Sequence, residues 1–482
     1  MTTPEDSNSP YDLIVIGGGP GGYSGAIRAA QRGWRVGLVE AEDQLGGVCL
    51  NWGCIPTKTL LHQAHLLRSM QEADHFGLSV RGEVGFDWAR VIERSRAVTG
   101  SLSAGIAGLL RRHKIDVIHG HGQLTEAAIV EVADAVGTRR QLATRRTLLA
   151  TGSRPRLLPD MDLSEHPRIL TSREAMVLGD RPRSVVIVGA GAIGVEFSRF
   201  FSGFGSKVTL LELAHQILPT EDPQVAAVVH EALAADGVEI HTGVQIDELE
   251  GGPRRRTATV NWRDADGGES SSCRADVCLV AIGVVGNIEG IGLENLDIQT
   301  AAGSIVVDDR YRTSSPNVWA VGDVIGGSRL AHAATAEAVA AIDFMMDRRQ
   351  TPIRSDLIPA CVYGDPEVAS VGLSESAAKE QGIEVRIGRF PFAASGRALA
   401  TSSAKAGTAK GFIKLIFGAR YGDLLGASLV GPGVTELIGE LCLAIQLEAT
   451  WEELAHTVHA HPTLSEGIME AAAAAFGEAI NI

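Results

Sequence analysis

Two cysteines five positions apart carry the clearest chemical potential in this sequence. Cys49 and Cys54 lie within the segment GGVCLNWGCIPTK, residues 46–58. A regular helix would separate them by about 7.5 Å of rise, beyond the Cα separation of about 4.4–6.8 Å that a disulfide allows. If they pair, the backbone between them is bent, and Gly53 and Pro56 permit a bend. Because Pro56 favours the first turn of a helix, Cys54 is expected beside that helix's positive end, where a thiolate is stabilised.

Two other interpretations of this pair remain open. The cysteines could be unrelated core residues, or zinc ligands, although no second ligand pair lies nearby in the sequence. Cys273 and Cys278 have the same spacing. Cys278 lies in an apolar strand and Cys273 in a predicted polar turn, with no glycine or helix start between them, so we interpret that second pair as packing and chance.

The first element that could position this segment is a dinucleotide fingerprint. Residues 11–16 predict a buried parallel strand, followed by a glycine-rich turn, a helix and a second strand ending in Glu40. The glycines permit the turn, the approach of a pyrophosphate and helix–strand packing, and Glu40 can accept hydrogen bonds from a ribose. The glycines concerned are Gly17, Gly19 and Gly22.

The same pattern occurs again after residue 183. A strand at 184–188 leads to a second glycine turn, a helix and a strand at 207–211 that ends in Glu212. The interval from first glycine to acid is 40 − 17 = 23 in one copy and 212 − 189 = 23 in the other. Two dinucleotide sites are the economical interpretation, and a duplicated domain that has lost its ligand is the alternative. The glycines of the second copy are Gly189, Gly191 and Gly194.

The residues after Glu212 indicate which nucleotide the second site takes. Glu212 would repel a 2′-phosphate, and residues 213–216 offer no arginine to receive one. NAD is therefore favoured over NADP. Because the two cysteines follow Glu40 closely, we expect the first site to hold the flavin, FAD.

Downstream of the fingerprints, two stretches carry further polar candidates. A strand at 317–321 ends in Gly322-Asp323, where a carboxylate could hold a polyol or only cap the next helix. From about residue 352 strands alternate, and the tail contains the segment HAHPTLSE, residues 459–466. His459 and His461 could suggest a metal, but no converging Cys or Asp supports it, so we expect no metal.

Composition excludes several classes of protein. The chain has 482 residues, a net charge of −15 and only six cysteines. This excess of negative charge argues against nucleic acid or an anionic membrane surface as partner, and so long a chain with few cysteines is no secreted disulfide scaffold. The first ten residues lack the basic and apolar regions of a signal peptide, and no apolar run approaches membrane-spanning length. A cytoplasmic location is the expectation.

Together, the segments at 46–58 and 459–466 and the two fingerprints resemble the pyridine nucleotide–disulfide oxidoreductases, particularly members that oxidise dihydrolipoyl groups. The resemblance covers nearly the whole chain. It implies an α/β fold with two Rossmann-like dinucleotide-binding domains and a C-terminal α+β dimerisation domain. The implied order is an FAD-binding domain at 1–155, an NAD-binding domain at 156–283, a central domain completing the FAD site at 284–351, and an interface domain at 352–482.

The same resemblance implies roles for individual residues. Cys54 would be the flavin-proximal thiolate and Cys49 the outer thiol that exchanges with substrate. Lys58 would approach the flavin and pair with Glu196, which taken alone is more simply a residue compensating the helix dipole. His461 would be the acid–base and Glu466 its orienting carboxylate. We place further cofactor contacts at Gly122, Thr151, Gly152, Asp323, Ala331, Val244 and Gly283.

The activity implied is oxidation of a protein-bound dihydrolipoyl dithiol through a Cys49–Cys54 disulfide and FAD, with hydride passed to NAD⁺. The partners implied are a second copy of the chain, whose His461 segment finishes each site, and a lipoyl-bearing protein domain. Alternatives are a relative acting on another disulfide or a specialised lipoyl carrier, a flavin transhydrogenase, and a non-catalytic assembly subunit. A mercuric reductase is disfavoured because the sequence has no terminal cysteine pair. Gly286-Asn287 replaces the family's usual Pro-Asn, which leaves a linker conformation open.

Overall fold

The computed structural model describes residues 9–159, 161–252, 255–349, 351–402 and 409–482. Residues 1–8, where the sequence predicts no signal peptide, lie outside these ranges. The chain forms two compact units, each assembled from separate stretches. Unit 1 comprises Met1–Pro56, Glu93–Arg156 and Gly283–Ile353, and unit 2 comprises Thr57–Ile92, Leu157–Ile282 and Arg354–Ile482.

The strands and helices follow one another along the chain as follows. Up to residue 156 they are β1 (Leu13–Ile16), α1 (Pro20–Gln31), β2 (Val36–Glu40), α2 (Gly47–Asn51), α3 (Cys54–Gln71), α4 (Trp88–Arg112), β3 (Asp116–His119), β4 (His121–Glu126), β5 (Ile129–Ala133), β6 (Arg139–Ala143), β7 (Thr147–Leu149) and β8 (Ser153–Pro155). Up to residue 282 they are β9 (Ile169–Leu170), α5 (Ser172–Ala175), β10 (Ser184–Val188), α6 (Ala192–Gly203), β11 (Lys207–Leu211), α7 (Pro223–Ala235), β12 (Glu239–His241), β13 (Val244–Glu250), β14 (Ala258–Asp264), β15 (Ser270–Ala275) and β16 (Val277–Val280).

The remaining elements complete both units. Up to residue 353 they are β17 (Val284–Gly286), β18 (Thr300–Ala301), β19 (Ser304–Ile305), β20 (Val318–Ala320) and α8 (Ala331–Met345). After it they are β21 (Ala360–Val362), β22 (Glu367–Gly372), α9 (Glu375–Glu380), β23 (Val385–Pro391), α10 (Gly396–Thr401), β24 (Phe412–Gly418), β25 (Leu424–Gly431), α11 (Val434–Gln446), α12 (Trp451–His456) and α13 (Glu466–Ala474).

Unit 1 is built on a five-stranded parallel sheet with the order β20-β7-β1-β2-β3. Every residue of β1 is buried, as expected for a strand covered on both faces. Helix α1 packs against α8, which follows β20 much later in the chain. Because the strands run parallel, their carboxyl ends share one edge, and the first glycine turn lies there.

Unit 2 contains a second five-stranded parallel sheet, with the order β12-β11-β10-β16-β9. Its C-terminal stretch forms an antiparallel sheet, β21-β22-β25-β24-β23, with α11 on β22 and β25 and α13 on β23 and β24. All seven residues of β24 are buried, including Lys414, which pairs with Asp222 at 2.7 Å. The predicted fold class is thereby confirmed: two dinucleotide-type parallel sheets and a C-terminal α+β region.

Three local features of the structure were not predicted from the sequence. Residues 147–155 form two strands, β7 and β8, because Gly152 between them has a left-handed backbone with φ of +70°. Cys273 lies in β15 rather than in a polar turn, paired across the sheet with Val260. Gly286, in the family's proline position, donates its N–H to the Gly303 carbonyl at 3.2 Å, a bond that proline cannot make.

No helix in the part of the chain that the structure describes is both long and apolar enough to cross a membrane.

Candidate active site

The first glycine turn follows a backbone path that leaves no room for a side chain at two of its positions. A Cβ on Gly17 would stand 2.2 Å from the Ala150 carbonyl oxygen, and one on Gly22 would stand 1.8 Å from the carbonyl oxygen of Gly17. Gly19 precedes α1 and offers no side chain to cap the first amides of that helix. The turn therefore leaves backbone N–H groups and the positive end of α1 for an anion such as a pyrophosphate, so the residues present fit FAD.

Glu40 holds this turn in place through two backbone amides. The Gly18 N–H donates to Oε2 of Glu40 at 2.6 Å, and the Glu42 N–H donates to Oε1 at 2.9 Å. The residue is only 8% exposed. Since a carboxylate offers about four lone-pair positions, Glu40 retains acceptor capacity for a ribose while its orientation is fixed.

The second glycine turn repeats this arrangement. A Cβ on Gly189 would meet the Ala281 carbonyl oxygen at 2.4 Å, and one on Gly194 would meet the carbonyl oxygen of Gly189 at 1.9 Å. Glu212 accepts from the Ala190 N–H at 2.6 Å and from the Ala214 N–H at 2.8 Å. Gly191 stands at the N-cap of α6. The loop-anchoring role of both acids is a feature that the motif alone does not reveal.

The cysteine segment bends as the spacing requires. Cys49 lies on α2, which ends at Asn51, and Cys54 is the first residue of α3, so Trp52 and Gly53 interrupt the helix between them. Pro56 follows within the first turn of α3. Cys54 thus lies at the positive end of a helix of 18 residues, where a thiolate is stabilised.

Close packing joins this segment to the first glycine turn. Gly47 has a φ of +58°, and a Cβ there would stand 2.7 Å from the Cα of Gly19. The start of α2 therefore lies directly against the turn that is suited to a pyrophosphate. A larger residue at position 47 would separate the two.

Two residues that sequence reasoning missed hold the bend. Asn51, 1% exposed, donates its side-chain amide to the carbonyls of Gln44 at 3.3 Å and Leu45 at 3.2 Å. Arg96 on α4 donates to the Asn51 carbonyl at 2.7 Å, and burial lowers the Arg96 pKa from its ordinary value. A polar residue between two cysteines was a usable signal for Asn51, but no local pattern marks Arg96.

In unit 2, Lys58 and Glu196 form an ion pair. The Lys58 ammonium lies 2.9 Å from both carboxylate oxygens of Glu196, whose side chain is 6% exposed. Tyr363 contributes twice: its N–H donates to Oε1 of Glu196 at 2.9 Å, and its ring lies 4.6 Å from the Lys58 nitrogen. Burial raises the Tyr363 pKa to about 12, so its hydroxyl stays neutral. Sequence reasoning missed Tyr363.

The tail segment carries a second hydrogen-bonded pair. Nδ1 of His461 lies 2.8 Å from Oε1 of Glu466, and the Thr463 N–H donates to Oε2 at 2.8 Å. The Thr463 amide, and then the His461 ring, hold the pKa of Glu466 below its ordinary value. The His461 side chain is 80% exposed, which leaves Nε2 presented to a reactant or to a partner surface.

Asp323 lies in a 3₁₀ turn, Gly322–Ile325, rather than at the start of α8. Its carboxylate accepts from the Ser153 hydroxyl at 2.6 Å, and the cap of α8 is Leu330. The Gly322 N–H donates to Glu337 at 2.8 Å, and burial, followed by the charge of Asp323, raises the Glu337 pKa. Ser153 and Glu337 thus position the turn that carries Asp323, and the sequence did not identify either.

The structure places the other candidate cofactor residues as follows. Thr151 and Asn287 exchange hydrogen bonds at 2.8 Å in both directions, beside the left-handed Gly152. Gly122 is in β4, where a Cβ would meet Ile16 at 3.1 Å. Val244 donates its N–H to the Glu212 carbonyl at 2.9 Å, Gly283 has a φ of +99°, and Ala331 begins α8.

The described residues contain no group of three or more His, Cys, Asp or Glu side chains arranged to hold a metal ion. Both ring nitrogens of His459 are engaged, one 2.9 Å from the Thr457 carbonyl and one 2.9 Å from Glu440. Both nitrogens of this ring are therefore occupied by protein contacts in the observed arrangement.

Comparison with known proteins places the chain in a family. Residues 11–338 match the pyridine nucleotide-disulphide oxidoreductase family, and residues 358–472 match the dimerisation domain of the same family. A protein of Chlorobaculum tepidum named dihydrolipoyl dehydrogenase is 43% identical over 96% of this chain and 96% of its own. A protein of the same name from Zymomonas mobilis is 43% identical over 98% of this chain and 99% of its own.

Solved structures agree with this assignment. LpdA of Mycobacterium tuberculosis superposes with a TM-score of 0.85 at 29% identity, covering 95% of this chain and 98% of that one. The HOCl-induced flavoprotein disulfide reductase RclA of Escherichia coli gives a TM-score of 0.83 at 27% identity, with 96% and 99% covered. The family-wide likeness, the two glycine cradles and the bent cysteine segment lead to one conclusion: this chain belongs to the pyridine nucleotide–disulphide oxidoreductases.

Proposed function

We propose that this enzyme oxidises a protein-bound dihydrolipoyl dithiol, using FAD and NAD⁺. The observation that carries the proposal is the cysteine segment: Cys54 opens α3, and Gly47 of the same segment packs against the first glycine turn. The segment that carries both cysteines is therefore packed against a glycine turn of the kind that binds FAD. The relatives from Chlorobaculum tepidum and Zymomonas mobilis, both named dihydrolipoyl dehydrogenase, support the choice of substrate.

The proposed chemistry is two thiol–disulfide exchanges. One substrate thiolate attacks Sγ of Cys49, the Cys49–Cys54 bond breaks, and Cys54 leaves as a thiolate. The second substrate thiolate then attacks the substrate sulfur of the mixed disulfide, which releases a cyclic disulfide and Cys49. The substrate loses two electrons and the enzyme disulfide gains them. His461 takes a proton from the first thiol and returns it to Cys49, with Glu466 holding its Nδ1–H. The second thiol releases its proton to solvent, so the products are a cyclic disulfide, the Cys49 thiol, the Cys54 thiolate and one proton. When bound, FAD accepts the electron pair and NAD⁺ carries it away as hydride.

The chain's own residues favour attack on Cys49 with release of Cys54. The start of α3 stabilises the Cys54 thiolate relative to that of Cys49, so Cys54 is the better leaving group. We assign Lys58, paired with Glu196, a place beside the flavin. We assign the FAD contacts to Gly17, Gly19, Gly22, Glu40, Gly122, Thr151, Gly152, Asp323 and Ala331, and the NAD contacts to Gly189, Gly191, Gly194, Glu212, Val244 and Gly283.

Four functional domains are proposed within the two units. Residues 1–155 and 284–351 would hold FAD together, which the packing of α1 on α8 and the pairing of β7 with β20 support. Residues 156–283 would bind NAD, and residues 352–482 would form the interface.

The match of residues 358–472 to a dimerisation domain supports a homodimer. The C-terminal stretch also exposes large apolar side chains, including Val458 at 95% and Leu447 at 69%, as expected of a face that a second copy covers. We propose that His461 acts in the site of the partner subunit. A lipoyl-bearing domain is the proposed substrate carrier, and the cytoplasm the proposed location.

A second candidate is reduction of another disulfide. The structural likeness to RclA, named a flavoprotein disulfide reductase, favours it, and His62 and His65 on α3 make that helix less apolar than a lipoyl arm alone would need. Steady-state rates with dihydrolipoamide, a lipoylated carrier domain and glutathione separate the two. We expect the dithiol substrates to exceed glutathione, and the reverse order would overturn the proposal.

The order of the two sulfurs has its own test. Two-electron reduction of the FAD-loaded enzyme should produce a long-wavelength absorbance band from the Cys54 thiolate beside the oxidised flavin. Cys54→Ser should abolish the band, whereas Cys49→Ser should show it without added reductant. The same spectrum in both variants contradicts the assignment, and a wild-type protein without flavin absorbance would favour a non-catalytic subunit.

A further inference from the structure

We propose that His459 is a positioning residue that holds the segment carrying His461 in place by tying it to α11. The inference rests on the proposed acid–base role of His461. The His459 side chain is only 7% exposed, in contrast to that of its neighbour two residues later. Its Nδ1 lies 2.9 Å from the Thr457 carbonyl oxygen, and its Nε2 lies 2.9 Å from Oε1 of Glu440 on α11.

The partners of the His459 ring are two hydrogen-bond acceptors. A backbone carbonyl only accepts hydrogen bonds, and an ionised carboxylate only accepts as well. In either tautomer the ring lies between the Thr457 carbonyl and Glu440, and the contact with Glu440 ties it to α11. The other charged group that responds to this ring is Glu466 at the start of α13, whose lowered pKa has the His459 charge among its causes, after Thr463 and His461.

The two histidines lie on one connection, from the end of α12 to the start of α13. Near α13 the connection is fixed by Glu466, which accepts from the Thr463 amide. Near α12 it is fixed by His459, which ties it to α11 through Glu440. His461 lies between these two attachments. Losing His459 would release the connection from α11 and leave Thr457, which donates to the Glu453 carbonyl of α12 at 2.6 Å, as its attachment on that side. A displacement of about 1 Å at a reacting group can cost up to roughly a hundredfold in rate.

A double-mutant cycle tests this assignment. His459→Gln should lower kcat for dihydrolipoamide oxidation by about 10- to 100-fold, while ferricyanide reduction by NADH, which bypasses the disulfide, changes less than about twofold. In a His461→Gln background, adding His459→Gln should lower kcat almost no further, because a residue that acts through His461 then has no group to position. A full additional loss in that background, or a loss below twofold in the single variant, overturns the proposal.

Two further variants guard against a folding defect. Glu440→Gln keeps the size of the side chain and one acceptor oxygen at a partly exposed position. It should therefore lower kcat, but by less than His459→Gln does. His456→Gln is the matched control, since His456 is an exposed histidine of α12 and should leave both activities unchanged. A loss in His456→Gln equal to that in His459→Gln would overturn the specific role.

The contact between His459 and Glu440 has a readout independent of turnover. In holoenzyme with ¹⁵N-labelled histidine, the ring signals that disappear in His459→Gln should shift in Glu440→Gln and stay in place in His456→Gln. Signals of the His459 ring that Glu440→Gln leaves unchanged would overturn the proposed attachment. If wild-type enzyme does not oxidise dihydrolipoamide, the proposed function fails, and the inference on His459 is then decided by this spectrum and by the same cycle with whichever disulfide the enzyme reduces.

Discussion

At the scale of single residues, the two fingerprint acids, Glu40 and Glu212, have a structural role that the sequence motif does not predict. Glu40 and Glu212 each accept a hydrogen bond from the backbone N–H of the second residue of their glycine turn. Each also accepts one from the backbone N–H of the residue two positions after the acid itself. Each carboxylate is therefore oriented before any ribose arrives. Replacing either acid should loosen its turn as well as remove a ribose contact.

Glu212 should set the choice of nicotinamide cofactor. Replacing it with alanine and placing arginine at Ala214 exchanges a repelling carboxylate for a phosphate-binding cation. Hydrogen bonds to charged groups contribute about 1.5–3 kcal/mol, so the NADP/NAD ratio of kcat/KM should rise by roughly tenfold or more. The single variant Ala214→Arg is the control and should shift the ratio less. A wild-type enzyme that already prefers NADP would contradict this interpretation.

Glu221 should give a pH-dependent effect on stability. Burial, opposed by a bond from Ser370 and reinforced by Asp222, raises its pKa, and its Oε2 has no hydrogen-bond partner among the described residues. For an acid whose pKa is raised on folding, stability is full below the unfolded-state pKa and is lost as the pH rises from there through the folded-state pKa. Glu221→Gln should therefore raise the unfolding temperature at pH 7 more than at pH 4. An equal shift at both values would contradict the expectation.

At the scale of elements, helix α3 begins with a candidate site residue and carries a half-buried ion pair one turn later. Its first residue is Cys54, and one turn later Lys58 pairs with Glu196 of α6, while Tyr363 after β21 binds both. The pair thus ties three elements together. A half-buried ion pair of this kind costs more to break from one side than to remove entirely.

Unfolding temperatures should display that asymmetry. Glu196→Ala leaves the Lys58 ammonium and the Tyr363 N–H without their acceptor, a cost of about 1–3 kcal/mol for each unsatisfied buried group. Lys58→Met leaves the more buried Glu196 carboxylate without its counter-charge and should also lower stability, whereas the double variant should unfold no lower than either single variant. The exposed pair Arg354–Asp356 is the control, where Asp356→Ala should change stability by less than about 0.5 kcal/mol. Strictly additive effects of Lys58→Met and Glu196→Ala would argue against coupling.

At the scale of the whole molecule, the proposed active site needs two chains. Cys49 and His461 are far apart in sequence, His461 is exposed, and residues 358–472 match a dimerisation domain. In a symmetric dimer each chain would contribute its cysteines to one site and its histidine to the other.

Mixed dimers test this arrangement directly. His461→Gln should lower dithiol oxidation by about 10²–10⁴-fold, the usual contribution of a general base. A heterodimer of His461→Gln and Cys49→Ser chains has one site with both defects and one with neither, so up to about half of wild-type activity should return. Each homodimer alone is the control. If subunit exchange is verified and no activity returns, His461 serves its own chain.

The sequence by itself determined the two fingerprints, the cofactors and the bend between the cysteines. These features are local: a strand, a glycine turn, a helix and an acid meet within about 25 residues, and left-handed backbone or close approach demands glycine at fixed positions. Pro56 and Gly53 indicated the interrupted helix for the same reason. Short-range steric rules decide such features without reference to the rest of the chain.

Only the tertiary structure decided which distant side chains complete each site. Arg96 on the Asn51 carbonyl, Tyr363 on Glu196, Ser153 on Asp323 and Glu440 on His459 join residues that are 19 to 170 positions apart. No periodicity or motif marks these partners, because their contact depends on how whole elements pack. Burial then makes the contacts necessary: a polar group removed from water must find a partner, and the fold determines which partner is within reach.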